Sequence, residues 1–122
     1  MTNKREVLDY LHDILDAAQA IEIFVHNMSY EEFARDRKTT YAVIRAFEIL
    51  GEAAKNVPET TRIKFPKVPW RQMSGMRDKV IHEYFGVKLA IVWEAIERDI
   101  PALVPLISEV INTETQSEHD PD

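Results

Sequence analysis

Arg77 to Tyr84, reading RDKVIHEY, brings a fixed cation, a titratable imidazole and a phenol into barely two helical turns. Histidine is the one side chain whose unperturbed pKa lies near neutrality, so it both takes and gives a proton at cellular pH. Arginine keeps its charge, and its planar fork of donors matches two oxygens of a phosphate. Arg77 and His82 therefore form a minimal kit for phosphodiester chemistry, with Asp78 beside the cation and Tyr84 two residues beyond the imidazole. The same residues also admit a purely structural reading, in which Asp78 with His82 and Lys79 with Glu83 form i,i+4 surface pairs and Tyr84 anchors the helix.

Geometry narrows the first reading. Residues on an ideal helix advance by about 100°, so Tyr84 falls within about 20° of Arg77, whereas His82 stands about 140° away from it. One helix does not bring cation and imidazole together, but two such helices paired about a two-fold axis set Arg77 of one chain near His82 of the other. A homodimer with a shared site is the expectation.

The elements that must hold this helix are themselves helical. With three Gly, six Pro and long runs of 3.6-residue periodicity, the chain carries no strand or hairpin signal. A first helix is expected after Asn3, with Val7, Leu8, Leu11, Ile14, Leu15, Ala18, Ile21 and Val25 as its core stripe. A turn at His26 to Met28 leads to a capping box, Ser29 with Glu32, and a short helix through Phe33. After a charged corner at Arg35 to Lys38, a long helix should run from about Thr39 to Asn56. Gly51 inside it costs about 1 kcal/mol relative to Ala, which a close helix contact would explain, the alternative being that the glycine is incidental. The proline-rich segment that follows reads as a connector with one turn at Pro58 to Ile63. Pro69 then opens the helix of the motif and Gly86 marks its end. The last helix, from about Lys88 to Ile111, is expected to be interrupted near Asp99 and Pro101. The predicted fold is an all-α, up-and-down four-helix bundle with short extra helices: one domain over residues 1–111, then a disordered acidic tail at 112–122.

Composition excludes several functions. Without Cys there is no disulfide, thiolate metal site or thiol nucleophile, and the cytoplasm is the default compartment. No segment approaches the ~20 apolar residues of a membrane span. There is no Gly-rich phosphate loop and no Ser in a nucleophile elbow. Asp9, His12 and Asp16, and separately Glu22 and His26, have helical spacings that would suit a metal, but such pairs are common on polar faces. Trp70 and Trp93 lie in apolar settings and read as core or interface. The formal net charge of -6 argues against bulk electrostatic binding of nucleic acid. Its distribution does not: Arg62, Lys64, Lys67, Arg71, Arg77, Lys79 and Lys88 face only Asp78 and Glu83 in the stretch around the motif.

The runs ILGEAAKNVPE and FPKVPWRQMSGMRDKVIHEYFGVKLAIVWEAIERDIPAL closely resemble the HepT-like proteins of the HEPN superfamily. The resemblance extends from the first helix to about Ile111, and Arg77, Asp78, His82 and Tyr84 match the family motif residue by residue. It implies a HEPN-like homodimer acting on RNA as an endoribonuclease toxin, with Arg77 and His82 catalytic and Asp78 supporting the site. It further implies no metal or other cofactor, since the ribose 2′-hydroxyl is the nucleophile. The implied partner is an MntA-like nucleotidyltransferase antitoxin that transfers AMP onto Tyr84. The alternative within the same resemblance is a non-catalytic helical dimer that serves such a nucleotidyltransferase as partner or regulator.

Overall fold

The computed structural model of the chain describes the backbone of residues 4–85 and 88–119, and the side chains of residues 6–78 and 88–117. Asn3 as a cap and Gly86 as a helix terminator lie outside the described residues. Helix α1, Lys4–Phe24, buries Val7, Leu11, Ile14, Ala18 and Ile21, an alternation of four- and three-residue steps that keeps one stripe facing the core. It ends in a turn where Asn27 adopts φ 62°, a left-handed conformation that Asn tolerates better than most residues.

Local side-chain bonds start the next two helices. Ser29 and Glu32 close the expected capping box on α2, Tyr30–Arg35. Asp36 accepts from Thr39 N–H at 3.1 Å and opens α3, Arg37–Asn56, two residues before the sequence reading begins it. The backbone amide of Ser29 holds the Glu32 carboxyl below its ordinary range, and that of Thr39 does the same for Asp36. Depressed carboxylates contribute stability above their unfolded pKa and lose it as pH falls through the folded one, so both caps weaken only in acid, below about pH 4. Along α3 the buried stripe is Val43, Phe47, Leu50 and Ala54, while Tyr41 and Ile49 stand half-exposed beside it.

A short helix α4, Glu59–Lys64, occupies the connector, and α5, Trp70–Phe85, carries the motif. Helix α6, Leu89–Glu94, runs through a π-helical turn at Ala95–Asp99 into α7, Ile100–His119. The expected interruption at Pro101 is therefore corrected to a continuous helical rod. The Ile100 N–H reaches back five residues to the Ala95 carbonyl, and the widened turn gives the Pro101 ring room that a regular α-turn denies it.

The tail is a second correction. Residues 112–119 continue α7, with Thr113 Oγ1 donating to the Glu109 carbonyl. Glu114 is buried, 5% exposed, and paired with Lys64 Nζ at 3.5 Å, which ties the end of α7 to α4. The sequence offers no apolar residue there, but the stem of one glutamate extends the stripe of Ile107, Val110 and Ile111 once a cation covers its head.

The four long rods pack as a helix bundle: α3 lies between α1 and α5, and α1 also packs on α7. The core, to which the short helix α2 adds Phe33, centres on Leu11, Ile14, Phe33, Phe47, Leu50, Met73, Ile100 and Ile107. Trp93 packs against Phe33 at 5.1 Å and Tyr30 at 6.2 Å between ring centroids, which fastens α2 to α6. This is the all-α architecture expected. Among the described residues no helix is long and apolar enough to cross a membrane.

Candidate active site

Helix α5 is anchored at its start. Trp70 is buried and its Nε1 donates to the Phe65 carbonyl at 3.0 Å, and one turn on Met73 is 1% exposed. These contacts fix the rotation of the helix, so Arg77, four residues after Met73, emerges at the edge of the buried face and against α3.

The contact there is close because α3 carries no side chain at position 51. A Cβ on Gly51 would stand 2.7 Å from Arg77 Cβ and 3.1 Å from the Met73 carbonyl oxygen. The close helix contact expected of this glycine thus falls on the motif arginine itself. Beyond it, Arg77 Nη1 donates to Glu52 Oε2 at 2.7 Å, with 39% and 53% of the two side chains exposed. The Glu52 carbonyl in turn accepts from Asn56 Nδ2 at 3.1 Å. Both ends of the arginine are held, its root by the glycine contact and its tip by the carboxylate.

Arg77 stands on the rim of an open, polar groove of about 370 Å³, which Tyr10, Asp13, Arg45, Glu52 and Asn56 also line. Arg45 Nη1 makes a bond of 3.4 Å to Glu48 on the same helix. A guanidinium carries five N–H donors, so the single bond to Glu52 leaves capacity to grip two oxygens of a phosphate.

Asp78, the proposed supporting residue, is exposed. His82 and Tyr84 belong to α5, but their side chains lie outside the described residues, as do those of Lys79 and Glu83. By helix register position 82 lies about 7.5 Å further along the axis than Arg77 and about 140° around it.

The weaker candidates resolve differently. Asp9, His12, Asp16, Glu22 and His26 form no group of three potential metal ligands among the described residues. Trp70 is core and Trp93 is half-buried in an aromatic cluster, as their apolar settings imply. Sequence reasoning missed Glu52 and Tyr10. Glu52 sits beside the in-helix glycine that signals a close approach, and an acid next to such a glycine is the clue that was there to use.

A family model, Ribonuclease HepT-like, matches residues 14–110, a span that holds Gly51, Glu52, Arg77, His82 and Tyr84. The chain belongs to the ribonuclease HepT-like family. Among its HepT-like relatives is a Thermococcus cleftensis protein described as "Probable ribonuclease HepT", 49% identical over 82% of this chain and 91% of its own length. "Putative RNase TTE0752" of Caldanaerobacter subterraneus subsp. tengcongensis is 45% identical over 86% of this chain and 94% of its own. "Putative RNase MJ0127" of Methanocaldococcus jannaschii is 43% identical over 88% and 89% respectively. No solved structure matches the chain.

Proposed function

We propose that this HepT-like chain is a metal-independent endoribonuclease in which Arg77 and His82 perform the chemistry and Asp78 supports it. The observation that carries the reading is the arginine: its guanidinium stands half-exposed on the rim of a polar groove, in a chain 49% identical to a probable ribonuclease. His82 takes the proton of a ribose 2′-hydroxyl, whose oxygen attacks the neighbouring phosphorus. The bond from phosphorus to the 5′-oxygen breaks, and the imidazolium returns the proton to that leaving oxygen. The products are a 2′,3′-cyclic phosphate and a 5′-hydroxyl, and no co-reactant is consumed. Arg77 stabilises the charge that develops on the non-bridging oxygens. The active form is a homodimer, because cation and imidazole diverge on one helix and converge across a dyad.

The biological setting that the reading implies is a cytoplasmic toxin of a type VII toxin–antitoxin pair, whose antitoxin is an MntA-like nucleotidyltransferase that silences it by AMP transfer to Tyr84. Arg77→Ala and His82→Ala test the chemistry on single-stranded RNA in EDTA. Each should lower cleavage by about a hundredfold or more, while thermal stability stays near wild type. Mixing the two variants should restore partial activity, since a heterodimer regains one intact site. Full activity in either variant overturns the assignment. An active monomer by light scattering overturns the shared site.

A further inference from the structure

We infer that Glu52 is a positioning residue for the ribonuclease reaction: its carboxylate holds the Arg77 guanidinium in the pose that meets the scissile phosphate. The inference rests on the ribonuclease reading above, but its grounds are separate. The 2.7 Å bond joins two helices across 25 positions of sequence, so it is not the incidental i,i+4 pairing of one helix face. Both partners are well exposed, at 39% and 53%, and an ion pair in that setting adds little to stability. Its effect falls instead on conformation. An arginine has four side-chain torsions, and a surface one samples many rotamers unless both ends are tied. Here the root is pinned where Arg77 Cβ meets the bare backbone of Gly51, and the tip is pinned by Glu52. The open groove that Arg77 lines has Tyr10, Asp13 and Arg45 on its other walls.

Glu52 also sets a balance. A negative charge beside Arg77 weakens the pull on an RNA phosphate before reaction, while a fixed guanidinium stabilises the transition state better than a mobile one. Removing the carboxylate should therefore separate the two kinetic constants. The assay uses a fluorescent single-stranded RNA oligonucleotide cut by the wild-type protein, with Glu52→Ala, Glu52→Gln, Arg77→Ala and the double variant Glu52→Ala/Arg77→Ala measured side by side. Glu52→Ala should lose about tenfold or more in kcat, with KM unchanged or lower and thermal stability within about 2 °C of wild type. Glu52→Gln, which keeps an acceptor oxygen at the same reach, should stay within about threefold of wild type. Because Glu52 acts through Arg77, the double variant should be no worse than Arg77→Ala alone.

The inference fails if Glu52→Ala keeps wild-type kcat, if it only raises KM, or if it costs as much again in the Arg77→Ala background. Such results with a crippled Arg77→Ala leave the ribonuclease reading standing. A fully active Arg77→Ala, or a wild-type protein that cuts no RNA, removes that reading and this inference with it.

Discussion

Two glycines in the chain's long helices have opposite surroundings, and the difference is measurable. At Gly51 an added methyl would sit 2.7 Å from Arg77 Cβ, an atom at the base of its side chain that cannot swing aside. Gly51→Ala gains about 1 kcal/mol of helix propensity but must push α3 and α5 apart, an overpacking cost of about 1–3 kcal/mol. Because the displaced residue is Arg77, cleavage should fall more steeply than stability. At Gly75, in the same helix as Arg77, a Cβ meets nothing within 4 Å. Gly75→Ala should therefore raise stability by about 0.5–1 kcal/mol. Thermal unfolding of the two variants checks both signs. A stabilised Gly51→Ala with full activity would show that α5 can shift without consequence for the site.

At the scale of elements, the end of α7 is more than an appendage. Glu114 is buried against the bundle and meets Lys64 of α4, so residues 112–119 brace the connector that leads into the motif helix. A chain ending at Ile111 loses this brace and exposes the surface that Glu114 covers. It should be less stable by about 1–2 kcal/mol, read as a lower midpoint in thermal or urea unfolding. A chain ending at His119 should match the full-length protein. Equal stability of all three would mean that the last turns of α7 merely rest on the surface. The π-helical turn at Ala95–Asp99 solves a different local problem, since it lets one rod carry Pro101 and still present Val92, Ile96, Ile100 and Leu103 to the core.

For the whole molecule, the charge distribution and the proposed dimer converge on α5. The stretch from Arg62 to Lys88 is basic within a chain of net charge -6, so the proposed RNA substrate would find positive charge concentrated in the sequence around the motif. The proposed regulation by AMP transfer to Tyr84 would follow the same electrostatics. An AMP on Tyr84 adds a phosphodiester charge and a nucleoside to the helix that carries Arg77, competing with substrate for the guanidinium and crowding the approach. Incubation with the cognate nucleotidyltransferase, ATP and Mg²⁺, followed by peptide mass mapping, should find AMP on Tyr84 together with loss of cleavage. Modification at other residues only, or none with a demonstrably active partner, would remove Tyr84 from the regulatory scheme.

What the sequence determined by itself is what depends on near neighbours. The capping box of Ser29 and Glu32 closes over three residues, the stripe of α1 repeats within every turn, and the spacing of Arg77, His82 and Tyr84 is a property of one helix. Such features follow from propensity and periodicity, and they made the bundle and the motif legible. Tertiary structure decided what distant segments do to one another. Arg77 meets its carboxylate 25 positions away, Glu114 finds its cation 50 positions away, and no local rule announces either bond. Glu114 looked like tail because its burial needs a lysine from α4, and Glu52 went unmarked because its bond to Arg77 needs the rotation of α5 that Trp70 and Met73 impose. Packing fixed that rotation, and with it which face of the helix carries the Arg77 guanidinium.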